Sequence, residues 1–192
     1  MRFFFQLVFL VILPPALCTG GGIKAPETAG EEEAPRYAAA LMQGVSYTPD
    51  NDVRFTMASF SALFDYEDVF LHKAPETLKF KVEVSAGAST EPSGKFTGSV
   101  NMFAVNYLAP LSRPGVRVFC EGGIGLIYQD FRVEGQGLRY NFNPQVGIGA
   151  EFERPCGKDL FSILRLHHVS NADLHEDNTG INSVVLVFGR YF

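Results

Sequence analysis

The stretch LKFKVEVSA, residues 78–86, restricts what this chain can fold into more than any other. Leu78, Phe80, Val82, Val84 and Ala86 take every second position, and Lys79, Lys81, Glu83 and Ser85 take those between. Successive residues of a strand point to opposite faces, so this spacing predicts a ribbon with one apolar and one charged face. A helix would scatter both sets around its circumference. The stretch NPQVGIGAEFE repeats the pattern, with Val146, Ile148, Ala150 and Phe152 set against Gln145, Gly147, Gly149, Glu151 and Glu153. GVRVFCEGGIGLIY follows it too: Val116, Val118, Ile124, Leu126 and Tyr128 share one side, and Arg117 and Glu121 the other.

About eight such segments run through the chain, near residues 37–48, 53–65, 77–89, 95–108, 115–129, 138–153, 159–171 and 181–192. Turn chemistry separates them in YTPDND, TEPSG, LSRPG, EGQG, RPCG and EDNTG. Several exceed the usual five or six residues of a strand and reach the ~9–11 needed to cross a bilayer obliquely.

Eight long antiparallel strands close as a barrel in two ways. A soluble lipocalin-type barrel holds its apolar face inside; an outer-membrane barrel turns it to lipid and fills its lumen with polar groups. Alternation alone does not distinguish them. Three features favour the membrane form: glycine on the polar face, as a narrow interior requires; the strand lengths; and the aromatic Phe192 closing a final strand. That last feature resembles the C-terminal signal of bacterial outer-membrane barrels, although Arg190 departs from its usual apolar choice. The expected fold is all-β: an eight-stranded antiparallel transmembrane β-barrel of the bacterial outer membrane, with a lipocalin-like carrier as the soluble alternative.

The rest of the chain fits an exported protein of one domain. MRFFFQLVFLVILPPALC has one cation, Arg2, then an apolar run from Phe3 to Leu13 too short to span a bilayer, which predicts a signal peptide over residues 1–18. Residues 19–36 form an acidic Pro/Gly-rich leader, and the barrel occupies residues 37–192. Cys120 and Cys156 would remain after cleavage, and an oxidising compartment would permit them to pair. The net charge of -5 is scattered, leaving no basic patch for nucleic acid.

Against this background LRLHHVSNADLHEDNTGINS, residues 164–183, stands out. His168 and Ser170 share a face with Leu164 and Leu166, the face an outer-membrane barrel turns to lipid. With both termini periplasmic, the seventh segment runs outward and residues 172–180 are extracellular, so this face meets the outer leaflet. A serine hydroxyl needs an adjacent base, and the base an orienting partner. Asn182, on the face of Val184, Leu186 and Phe188, is positioned to reach His168 if the two strands pair with suitable stagger. His167 points the other way, into the lumen or its rim, unless a bulge exchanges it with His168. HEDN lacks the paired-histidine spacing of a zinc site, and CEGGIG is too short for a nucleotide loop. The plainer alternative is that His168 and Ser170 are polar residues at the rim of a non-catalytic small barrel that binds ligands or supports the envelope.

The pattern HHVSNADLHEDNTGINS resembles the active-site stretch of the outer-membrane lipid A 3-O-deacylases (the PagL family): His-x-Ser-Asn, an Asn-x-Gly-Ile element and an acid. The resemblance implies an eight-stranded barrel that hydrolyses the ester-linked 3-O-acyl chain of lipid A, the membrane anchor of lipopolysaccharide, with a Ser-His-Glu triad on its outer wall. No cofactor and no metal are implied. Carried over, Ser170 matches the nucleophile and His168 the general base. Asn171 and Asn178 match asparagines supporting the oxyanion, and Gly180 and Ile181 the turn into the last strand. Where the family pattern has Glu, this chain has Asn182. Asp173, Glu176 or Asp177 could supply the missing acid from the loop.

Overall fold

Residues 34–49, 53–155 and 158–192 are described by the computed structural model. Their alternating segments form strands β1 (Arg36–Thr48), β2 (Arg54–Asp65), β3 (Leu78–Glu91), β4 (Lys95–Tyr107), β5 (Val116–Gln129), β6 (Tyr140–Phe142), β7 (Gln145–Phe152), β8 (Leu160–Val169) and β9 (Ile181–Tyr191). All pairings are antiparallel between neighbours, β9 returns to β1, and β6 and β7 both pair with β5. β6 and β7 are two halves of one wall strand, so the sheet closes as an eight-stranded barrel with no free edge. The segment expected over 138–153 divides at Asn143 and Pro144. Proline has no N–H to give the ladder, and the buried Asn143 side chain turns inward to donate to Asn101 Oδ1 at 2.8 Å.

Which face lies inside is decided by β8. Leu164 is 52% exposed and Leu166 51%, whereas Arg165 between them is 0% exposed. The same alternation leaves Val84, Val100, Leu126, Val146, Leu186 and Phe188 uncovered around the wall, while Lys81, Glu83, Glu121 and Glu151 are buried in the lumen. An apolar exterior over a polar interior is the order of a membrane barrel and the reverse of a soluble one.

Buried charge persists because it is paired in two neutral layers. At mid-barrel, Arg165 donates to both oxygens of Glu83 at 2.8 Å and also to Glu121, which Lys81 meets from the other side. Phe103 lies against this layer, its ring centroid 4.7 Å from the Arg165 guanidinium and 4.4 Å from the Lys81 ammonium. Nearer the termini, Glu151 accepts from Tyr107 and Tyr191 at 2.6 Å each and from Arg117 at 2.6 Å, with Arg36 alongside at 3.3 Å; Asp159, 3.7 Å from Arg36 and 3.8 Å from Arg117, balances the second arginine. The lumen has little room to spare. A Cβ at Gly147 would come within 2.9 Å of Arg165 Cγ, which explains a glycine on the polar face.

The connection between β2 and β3 holds a five-residue helix, α1 (Tyr66–Phe70), and that between β4 and β5 a single 3-10 turn over Ala109–Leu111. Neither is marked by periodicity, since one turn is too short to show any. No helix among the described residues is long and apolar enough to cross a membrane. The proposed signal peptide, nearly all of the leader, and Cys156 lie outside the described residues; Cys120 sits at mid-β5 with Sγ 3.8 Å from Asn106 O.

Candidate active site

β8 carries His168 into direct register with Asn182 of β9, within an unbroken ladder from Leu160 paired with Arg190 to Val169 paired with Ile181. No bulge intervenes, so His167 stays in the lumen at 8% exposure and His168 stays outside with Leu164 and Leu166. Two contacts define the site. His168 Nδ1 lies 2.7 Å from Asn182 Oδ1, and His168 Nε2 lies 2.9 Å from Ser170 Oγ. An amide oxygen only accepts, so Nδ1 carries the proton and donates to Asn182. Nε2 is left with its lone pair facing Ser170, whose hydroxyl donates to it. The reverse amide orientation would drive the proton to Nε2 and remove that acceptor.

Ser170 is just past the end of β8, and its backbone is held by the neighbouring β6 within the same wall. Its N–H donates to Phe142 O at 3.1 Å and its carbonyl accepts from Phe142 N–H at 2.8 Å. The loop that follows is braced by its own amides. Asn171 is 1% exposed; its backbone N–H donates to Asn178 Oδ1 and its Nδ2 to Asp177 O, both at 2.8 Å. Asn178 Nδ2 donates to Asp173 Oδ1 at 2.7 Å, and Ala172 and Asp173 take left-handed backbone at φ 53° and 61°. Asn171 and Asn178 each commit one side-chain N–H inside the loop and each keep a second; Asn171 is buried, whereas Asn178 is partly exposed. Asp173 is engaged with Asn178, and Glu176 and Asp177 are exposed; the contacts of the imidazole are with Asn182 and Ser170.

Residues 130–139, between β5 and β6, contribute a second brace. Gly137 N–H donates to Asp177 O at 2.9 Å, and Thr179 N–H to Gly135 O at 2.8 Å. Sequence reading did not identify this loop or Phe142 as part of the site. Both act through backbone hydrogen bonds to segments far away along the chain, which leave no local signature. A bulge in β1 between Ser46 and Thr48, opposite Asn182, is another feature that only strand pairing reveals.

Gly180 has a steric role beyond that of a turn residue. A Cβ there would lie 2.8 Å from His168 Cε1. Since two hydrogen bonds fix the ring, Gly180→Ala is expected to tilt it away from Ser170 and lower kcat by roughly 10–100-fold, the scale of a small misplacement of a reacting group. Steady-state kinetics alongside thermal unfolding checks this; equal losses of folded protein and of activity would refute it.

The depth of the site is set by aromatic residues. Tyr128 pairs with Tyr140 and Leu126 with Phe142, so Ser170, bridged to Phe142, lies one outward-facing step (~7 Å) below the tyrosine pair. The two tyrosine rings are 4.9 Å apart, and Phe96 joins them at 6.3 Å from Tyr128. At the opposite end Phe60 meets Tyr37 and Phe192 at 6.0 and 5.8 Å. Aromatic girdles of this kind mark the two membrane–water interfaces.

Closed strands, an apolar belt between aromatic girdles and a charged lumen define a small outer-membrane β-barrel. The solved structures that share the fold include these two. One is the outer-membrane enzyme PagL, at 23% identity over 81% of this chain and 98% of that one, with a TM-score of 0.52. The other is Neisserial surface protein A (NspA), at 14% identity over 82% and 94%, with a TM-score of 0.57. No curated protein matches the sequence. The model of the lipid A 3-O-deacylase (PagL) family matches residues 44–191, and the chain belongs to that family. Its activity at family level is therefore lipid A deacylation, a hydrolysis carried out by an outer-membrane barrel.

Proposed function

We propose that this chain removes the 3-O-linked acyl chain of lipid A at the outer leaflet, with Ser170 as nucleophile, His168 as general base and Asn182 orienting the imidazole. The observation that carries the reading is the unbroken contact chain from Asn182 through His168 to Ser170, on the wall that meets lipid. His168 Nε2 takes the Ser170 proton as Oγ bonds to the ester carbonyl carbon. The oxyanion draws on the free N–H of Asn178. Collapse breaks the ester C–O bond, and the imidazolium returns its proton to the departing 3-hydroxyl oxygen. Water, deprotonated by His168, then attacks the acyl-enzyme; the bond from the acyl carbon to Ser170 Oγ breaks, the imidazolium returns its proton to Oγ, and the fatty acid is released. Ser170 lies just inside the upper aromatic girdle, near the depth at which acyl esters join a lipid headgroup.

Mass spectrometry of lipid A from cells making the assembled protein tests this. Loss of a single hydroxyacyl chain, with the matching fatty acid released, is the expected result. Unchanged lipid A beside a correctly assembled barrel would reject the reading.

Asn182 makes a second expectation quantitative. An Asp-to-Asn change in serine proteases costs about 10⁴ in kcat, largely by imposing the wrong tautomer. Here the tautomer is already right, so only the missing charge is at issue. Asn182→Glu is expected to raise kcat by roughly 10–100-fold by stabilising the imidazolium, since an opposite charge at this range favours the charged form. Asn182→Leu, which removes the acceptor, should lower it. Kinetics on both variants decides; a rate indifferent to all three side chains would remove Asn182 from the mechanism.

A further inference from the structure

The α1 connection, at the barrel end that carries both chain termini, exposes three consecutive apolar side chains: Val69 at 40%, Phe70 at 45% and Leu71 at 89%. Leu71 closes the helix at φ 53°, its N–H donating to Glu67 O at 2.8 Å. Glycine fills such a cap without steric penalty, whereas leucine carries one. The backbone need alone therefore does not account for the residue chosen, and its side chain projects outward.

The direction of that projection follows from Phe70. Its ring packs edge-on against Phe80 at 5.2 Å, with an interplanar angle of 88°. Phe80 shares its face of β3 with Val82 and Val84, and Val84 is half-exposed on the lipid-facing wall, while Lys81 and Glu83 face the lumen. α1 thus lies against the outside of the barrel, continuous with the apolar belt, and does not cap the lumen. Tyr66 stacks on Phe70 at 4.5 Å and meets His72 at 5.4 Å, giving the cluster a polar margin. Glu67 is turned back to accept from Ala74 N–H at 2.6 Å, and Asp65 pairs with Lys79.

We propose that Val69, Phe70 and Leu71 form an interfacial anchor, and that their partner is the lipid of the leaflet nearest the termini, at its headgroup–acyl boundary. Apolar and aromatic groups beside a polar margin take up this position, with the apolar side some 5–10 Å into the boundary. Anchoring at this rim opposes sliding and tilting of the barrel, and so holds the far girdle, and whatever chemistry lies beside it, at constant depth.

The chain contains no tryptophan, so Leu71→Trp introduces a single indole, excited selectively at wavelengths its tyrosines do not absorb. The variant, as the full mature chain, is folded into phosphatidylcholine vesicles with or without bromine on the upper part of the acyl chains. Its assembly is checked by the heat-dependent shift in electrophoretic mobility. The expected result is a roughly two-fold or greater loss of emission in brominated vesicles, with protection from aqueous acrylamide relative to Glu134→Trp on the opposite loops. Emission indifferent to bromine and quenched by acrylamide as fully as at Glu134→Trp would overturn the proposal. If Leu71→Trp fails to assemble, Val69→Trp gives the same reading. The measurement uses no substrate, so its outcome is independent of the hydrolytic mechanism.

Discussion

Ser170→Ala is expected to abolish lipid A deacylation, lowering kcat by at least about 10⁴-fold, while the barrel assembles as before. The side chain contacts His168 alone among its polar neighbours, and the hydrogen bonds that hold Ser170 in place, with Phe142, are made by the backbone and survive the change. Loss of function and loss of structure therefore separate at this residue. His168→Ala should be nearly as damaging, and the double variant little worse than either single one, because groups that act as a unit are strongly non-additive. The measurement is release of hydroxy fatty acid from purified lipid A, with electrophoretic mobility to verify folding. Activity within a few-fold of the parent in Ser170→Ala would remove the serine mechanism.

The largest effect on stability is expected at Arg165. Its guanidinium is fully buried and neutralises Glu83 and Glu121 together with Lys81. Arg165→Met leaves one positive group against two buried carboxylates. Breaking a buried ion pair from one side is expected to destabilise by about 3–5 kcal/mol, because the remaining charge is neither hydrated nor matched. Adding Glu83→Gln restores a neutral layer of Lys81 and Glu121 and should recover a large part of that loss. Urea titration of the folded barrel in detergent, followed by electrophoretic mobility, measures both. A double variant no more stable than Arg165→Met would show that guanidinium packing on Phe103, and not charge balance, holds the layer.

Arg165 on β8 and Ser170 just past its end are five positions apart along the chain, yet they serve opposite sides of the wall. The resulting division of labour suits a chain whose substrate is dissolved in the membrane. Polar pairing inside makes the scaffold rigid, and the outer surface is free to present a reactive group to lipid. The backbone brace from Phe142 and the asparagine contacts after Ser170 join the two tasks by fixing Ser170 to the barrel, and a site held on rigid elements keeps its geometry better than one carried by a free loop.

Much of this was legible along the chain because alternation is a property of a single strand. Lys81 and Glu83 against Val82 and Val84 separate the faces of β3 whatever its neighbours are, and His168 and Ser170 share a face because they are two apart. The length of the segments and the glycines among polar residues such as Gly147 pointed to a narrow membrane barrel for the same local reason. Register is different: it is set by hydrogen bonds between strands and by turns, and period 2 carries no information about it. Only the closed barrel placed Asn182 opposite His168, set Phe142 against Ser170 and brought residues 130–139 down onto the loop after Ser170. It also turned Asn171 and Asn178 toward that loop's own backbone, and laid a helix too short to have a period against the outside of the wall.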